Sequence, residues 1–135
     1  MNISLSKAVG RVPVMIVRVE GHLDGQSYLS LIEKAKEVYQ AGARDFLIDM
    51  TDLTYISSAG LVALHSVALL TRGEPLPDTD AGWAAYRSMK SGMVSVQEHI
   101  KLLNPREEVK SVLEMVGFDQ VFALFTDMDE AVKSF

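Results

Sequence analysis

The succession of a strand, a helix and a second strand within residues 12–50 limits the possible folds of this 135-residue chain more than any other feature. Val12–Val19 is an apolar run rich in β-branched side chains, typical of a buried strand that Gly21 is expected to close. Apolar side chains then recur at helical spacing over Tyr28–Tyr39, and Phe46–Met50 is a second run of strand length. Because a helical crossover joins parallel strands, the sequence predicts an α/β fold.

Further elements of the same kind are predicted in the rest of the chain. Residues 61–70 would form a helix that is apolar on most sides, and Ile100–Leu103 a third core strand. Asn104–Glu107 predicts a helix start, since asparagine is a good N-cap and proline is favoured at the first helical position. Val121–Phe125 suggests a last short strand, and residues 126–135 a final helical turn.

The composition favours one acidic domain. Thirteen basic and 18 acidic residues give a formal charge of −5, and without a basic cluster the chain is a poor candidate for binding nucleic acid or an anionic membrane. No apolar stretch reaches the roughly 18 residues that cross a bilayer, and residues 1–7 do not resemble a signal peptide. We therefore expect a cytoplasmic protein without membrane insertion. The absence of cysteine excludes disulfides and thiol catalysis.

Residues 73–97 are the hardest to place. Gly73–Asp78 predicts a loop, because it contains a glycine and two prolines. A short helix after that loop would carry three large side chains at spacings of three residues, those of Trp83, Tyr86 and Met89. Two interpretations are open: a lid packed on the core, which we favour, and a surface for self-association into a homodimer or for a partner.

No constellation for catalysis is recognisable. The three histidines, His22, His65 and His99, form no pair at helical spacing for zinc. The chain has neither a nucleophile elbow nor a glycine-rich phosphate loop. We therefore expect no enzyme activity, no cofactor and no metal. His65, on the apolar helix, is expected to be a core histidine whose hydrogen bonds are satisfied.

Two loops should meet at one edge of the sheet. Glu20–Gly25 and Asp49–Gly60 each follow a predicted strand, and ligands and partners gather at the carboxyl ends of parallel strands. Asp24 and Asp49 are the acidic residues nearest this edge. Asp24 could contact a partner or be a solvated turn residue, and the sequence leaves both interpretations open.

The second loop carries a family resemblance. Ile48–Leu61 resembles the central motif of STAS domains, the anti-sigma-factor-antagonist family, in which a strand ending in an acidic residue leads through an aromatic–apolar pair to a serine-rich helix start. Val19–Asp24 is similar to the Gly-Glu-Leu-Asp turn of that family, and Leu103–Phe118 resembles its third strand and following helix. The resemblance covers residues 12–72 and 98–133.

The resemblance implies a fold with one domain over residues 1–135 and an insertion at about 73–97. The expected architecture is a mixed β-sheet of about four to five strands with helices packed mainly on one face. It also implies a protein partner, a serine kinase that acts as an anti-sigma factor, and a phosphatase. The residues matched to partner binding are Asp24, Tyr55, Ile56, Ser57, Ala59, Gly60 and Leu61.

Matched position by position, the phosphoacceptor would be Ser58, with Ser57 as the second choice. A serine at a helix start is exposed, and free N–H groups there stabilise a phosphate. The residues alone leave a second role open, in which either serine merely caps the helix. Three departures from the family pattern, Ser57 for aspartate, Ala59 for Ser/Thr and Val62 for glycine, bear on kinase recognition. They favour an alternative function, that of a non-phosphorylated ligand-sensing or scaffold module.

Overall fold

The computed structural model describes residues 1–74 and 96–135. In chain order, the described strands and helices are β1 (Asn2–Val9), β2 (Pro13–Leu23), α1 (Tyr28–Gln40), β3 (Phe46–Asp49), β4 (Leu53–Ile56), α2 (Ser58–Thr71), β5 (Ile100–Leu103), α3 (Glu107–Met115), β6 (Leu124–Phe125) and α4 (Met128–Lys133). A 3₁₀ turn, Phe118–Gln120, lies between α3 and β6. The predictions for Trp83, Tyr86 and Met89, and for most of the expected insertion, lie outside the described residues.

The sheet has the order β1-β2-β3-β5-β6, and β4 pairs with the far end of β2. Strand β1 is antiparallel to β2, and every other pairing is parallel. The predicted parallel pair of β2 and β3 is confirmed, with the register running from Met15 opposite Phe46 to Arg18 opposite Asp49. The predicted mixed α/β sheet is confirmed as well, although it has six strands in the described residues because β1 and β4 were not expected.

Strand β2 does not end at Gly21 as predicted. It continues to Leu23, because Gly21 adopts a φ of +93° and the pairing with β4 shifts register between Gly21 and His22. Such an irregularity increases the local twist and redirects the strand without ending it. The extension brings the last residues of β2 beside β4.

The helix after β5 also begins later than predicted. It starts at Glu107, with Arg106 as the N-cap residue in extended conformation. Asn104 has a φ of +53°, which is incompatible with the extended backbone of an N-cap residue. Asn104 therefore turns the chain out of β5, and Pro105 precedes the helix instead of opening it.

The expectation that the helices pack mainly on one face is confirmed. Helices α1, α2 and α3 bury their apolar side chains in one large cluster with the odd-numbered side chains of β2. A smaller cluster on the other face joins α4 to the even-numbered side chains of β2, and its buried members are Val14, Ile16, Leu47, Leu103, Ala131 and Val132. Among the helices of the described ranges, none is both long and apolar enough to cross a membrane.

Helix α2 is buried along most of its length, from Gly60 to Ala68. His65 lies within this stretch with 9% of its surface exposed, and its Nδ1 has no hydrogen-bond partner among the residues that the structure describes. The prediction of a satisfied core histidine is therefore wrong. Burial lowers the pKa of His65 below its ordinary value of 6.5, because the charged imidazolium loses its hydration.

This burial predicts an acid-sensitive fold. The unfolded chain binds a proton at His65 more readily than the folded chain, so stability is lost as the pH falls through 6.5. We expect His65→Leu to reduce the loss of unfolding free energy between pH 7 and pH 5, measured by urea denaturation. The control is His22→Asn, since His22 is exposed. Equal losses in the wild type and in His65→Leu would contradict this prediction.

Candidate functional site

The two loops predicted to meet do so through the extension of β2. Leu23 pairs with Ile56, and the Ser57 amide donates a 3.0 Å hydrogen bond to the Leu23 carbonyl oxygen. Asp24 follows Leu23 directly, so the turn that it opens lies beside the start of α2. The prediction that both loops share one edge of the sheet is confirmed.

The turn after β2 is held by hydrogen bonds around Asp24. The Gln26 amide donates to Asp24 Oδ1 at 3.0 Å, and the Ser27 hydroxyl lies 3.2 Å from the same oxygen. The backbone bond from Gln26 lowers the pKa of Asp24, with a smaller contribution from Ser27. The Asp24 carbonyl accepts from the Tyr28 amide at 2.9 Å. Asp24 is therefore a structural turn residue with an ionised, half-buried carboxylate.

The two serines at the start of α2 have different environments. Ser57 is the N-cap residue, with a ψ of 179°, and its hydroxyl accepts from the Gly60 amide at 3.4 Å. Ser58 is the first helical residue, and it is exposed. Of the two serines, therefore, Ser57 caps the helix and Ser58 is exposed to solvent.

Two aromatic side chains, those of His22 and Tyr55, lie next to each other at the same edge of the sheet. Tyr55 is 51% exposed, and its ring meets the His22 ring edge-on with the centroids 5.7 Å apart. The loop Glu20–Gly25, which contains His22, was expected at this edge, but the register that places His22 opposite Tyr55 depends on the extension of β2 and was not predicted. We call the five residues His22, Asp24, Tyr55, Ser57 and Ser58 the loop surface.

Three residues predicted to bind a partner lie beneath this surface. Ile56 and Leu61 are each 2% exposed, and Gly60 is also buried. A Cβ atom on Gly60 would lie 2.6 Å from the carbonyl oxygen of Leu23. These residues hold α2 against the sheet. The surface open to a partner is therefore narrower than predicted, with Ala59 half-buried at its margin.

The loop from β3 to β4 is fixed from several sides. Asp49 is 6% exposed, and its Oδ1 accepts from the amide and the hydroxyl of Thr51 at 3.1 and 2.6 Å. Arg18 pairs with the Asp52 carboxylate, and Arg106 Nη2 lies 3.8 Å from Asp52 Oδ1. Asp49 is thus a buried loop residue. Over residues 1–74 and 96–135, no three His, Asp or Glu side chains are grouped as a metal site.

Comparison with known proteins places this geometry in a family. Residues 6–72 match the family model of the STAS domain. The fold is similar to that of SpoIIAA, an anti-sigma factor antagonist, in its unphosphorylated form, at 18% identity over 97% of this chain and 93% of that chain, with a TM-score of 0.60. A comparison with curated protein sequences gives no significant match.

Two further solved structures share the fold. An anti-sigma factor antagonist from Mycobacterium paratuberculosis is 16% identical over 98% of this chain and 93% of that chain, with a TM-score of 0.63. The Bacillus cell-fate determinant SpoIIAA in its phosphorylated form is 14% identical over 97% of this chain and 96% of that chain, with a TM-score of 0.55. The chain contains a STAS domain, and its fold is that of the anti-sigma factor antagonists.

Proposed function

We propose that this chain is a regulatory module that binds a serine kinase acting as an anti-sigma factor, and that phosphorylation of Ser58 weakens this binding. The observation that carries the proposal is the exposed position of Ser58 at the start of α2, next to a serine that already caps the helix. The similarity to SpoIIAA, solved in an unphosphorylated and a phosphorylated form, supports the same interpretation.

A phosphate at Ser58 is compatible with the fold. The first amides of an α-helix lack partners within the helix, and together with the helix dipole they stabilise a negative charge. Helix α2 carries no acidic residue in its first turn that would oppose this charge. Phosphorylation would therefore change the surface without unfolding the domain.

The same phosphate would change what the loop surface can bind. It adds about 1.5 to 2 negative charges at the start of α2, beside the turn that Asp24 opens, in a chain of net charge −5. A partner that packs against Tyr55 and His22 would have to desolvate the phosphate or accommodate its charge. We infer that the modified surface repels an apolar or acidic partner, and that a phosphatase restores binding.

Phosphorylation can be tested with two matched variants. The full chain is incubated with ATP and each anti-sigma serine kinase of the source genome, and the modified residue is identified by mass spectrometry. We expect phosphate on the wild type and on Ser57→Ala, and none on Ser58→Ala. Ser57→Ala also loses its cap, at a cost of about 1 kcal/mol, so its folding is checked by circular dichroism. Phosphate on Ser57 alone, or on neither serine, would contradict the proposed acceptor.

Binding is measured separately with a charge and a size control. Ser58→Asp introduces the negative charge, whereas Ser58→Asn has nearly the same size and no charge. We expect Ser58→Asp to weaken kinase binding about tenfold or more, since like charges across an interface cost several kcal/mol, and Ser58→Asn to bind almost as the wild type does. Equal binding by all three proteins, measured by calorimetry, would rule out the switch.

A further inference from the structure

A cleft of about 640 Å³ lies at the opposite end of the sheet from the loop surface. Its walls are β1, the start of β2, the end of α1 and the turn into β3. The apolar side chains that line it are those of Leu5, Pro13, Val14, Met15, Val38, Ala41 and Ala43. The volume falls within the range of about 300–1,000 Å³ that is typical of small-molecule sites.

The cleft exists because β1 extends the sheet beyond the cover of the helices. The buried side chains of α1 pack with those of β2 and β3, whereas β1 contributes only the partly buried Ile3 to that cluster. Leu5 consequently stays 39% exposed, while Met15 and Val38 behind it are less than a tenth exposed. The cleft therefore has an apolar floor and is open to solvent on one side.

Two cations line this apolar floor, and neither has an acidic partner in residues 1–74 and 96–135. Lys7 makes no hydrogen bond or ion pair within the described residues. The guanidinium of Arg44 stacks 4.0 Å from the centre of the Tyr39 ring, and its Nη1 donates to carbonyl oxygens at 2.7 and 2.8 Å, so it is held in place but pairs with no described carboxylate. Among the described residues that line the cleft, the carboxylate belongs to Asp45. Its Oδ1 is already engaged, because it lies 2.7 Å from His99 Nδ1.

We propose that this cleft binds a small amphipathic anion with an unbranched aliphatic body and a carboxylate head. The aliphatic body would pack on Met15 and Val38 and cover Leu5, since burial of the exposed apolar surface of Leu5 is favourable. The carboxylate would be neutralised by Lys7 and Arg44, neither of which pairs with a carboxylate within the described part of the chain. This site lies apart from the loop surface, and its occupation does not depend on phosphorylation of Ser58.

The test uses decanoate as the probe, below its micelle concentration, with decanol as the neutral control of equal chain length. Calorimetry on the full chain should show one saturable site for decanoate, with amide shifts in NMR spectra at Leu5, Met15 and Ala43. Lys7→Gln should weaken decanoate binding about fivefold, the scale of a partly exposed ion pair, and leave decanol binding unchanged. Lys133→Gln, which removes the same charge at an exposed position on α4, should behave as the wild type.

A second variant tests the location without altering charge. Ala41 is exposed where it lines the cleft, so Ala41→Phe should fill the cleft without disturbing the core and should abolish binding of both probes. The absence of saturable binding, or shifts confined to other parts of the chain, would overturn the proposal. It would also be overturned if Lys7→Gln bound decanoate as the wild type does. Shifts along β1 that grow with protein concentration alone would instead assign this face to pairing between two copies.

Discussion

Replacement of Gly60 by alanine is expected to lower the free energy of unfolding by about 1–3 kcal/mol, the usual cost of forcing a methyl group into a packed site. The added Cβ would lie 2.6 Å from both the Leu23 carbonyl oxygen and Ile56 Cγ1. Alanine is the better helix former by about 1 kcal/mol, but that gain is available only if α2 keeps its place. Relief of the contact moves α2 away from β2 and strains the hydrogen bond from Ser57 to Leu23.

The matched control is Gly25→Ala, in the turn beside Asp24. A Cβ on Gly25 meets no atom within 4 Å, and its backbone does not lie in the left-handed region. We expect its effect to stay within about 0.5 kcal/mol, as for most surface substitutions. Urea denaturation followed by circular dichroism measures both variants. The packing argument fails if Gly60→Ala is as stable as Gly25→Ala.

The expected loss at Gly60 connects the fold to the proposed function. The same glycine allows Leu23 and Ser57 to approach closely, and that approach places the turn that Asp24 opens beside the start of α2. A variant in which α2 moves outward should therefore lose partner binding even where the domain still folds. Gly60 would thus act on the loop surface from beneath it, without contacting the proposed partner.

The sequence predicted those parts of the fold in which apolar side chains dominate. The strands around Val17 and Ile48 are buried on both faces, so continuous apolar runs identified them and their parallel pairing. Strand β1 was not predicted, because as an edge strand it is exposed at most positions and its alternation of polar and apolar residues ends after Ser6. Strand β4 was not predicted either, since it has only four residues and only its first and last, Leu53 and Ile56, are buried.

The candidate site was predicted in outline from its position at the carboxyl ends of two strands. Its finer arrangement depends on backbone conformations that the residue types did not reveal. Gly21 normally suggests a strand end, but here its positive φ accompanies a register shift that extends β2 to His22 and Leu23. The burial of Gly60 and Leu61 was also missed, because a motif match does not show which of its residues face solvent.

Replacement of Phe122 by alanine should be the most destabilising of these changes, by about 3–5 kcal/mol. Phe122 is 1% exposed, and its ring meets that of Phe118 edge-on with the centroids 5.2 Å apart. Both rings belong to the main core cluster with side chains of α1 and α2. Phe122 lies well beyond residues 6–72, the part that matches the family model. The loss of unfolding free energy in Phe122→Ala therefore measures how much the rest of the chain stabilises residues 6–72.

The described structure predicts that the two parts unfold together. Strand β3 pairs with β2 inside the matched region and with β5 outside it, so the sheet is continuous across the boundary. Met115→Ala is the control, because Met115 is 79% exposed in the same half of the chain and should change stability by no more than about 0.5 kcal/mol. Phe122→Ala should show one unfolding transition at lower urea concentration. A second transition that keeps the midpoint of the wild type would mean that residues 6–72 fold independently, because their core would then not need the ring of Phe122.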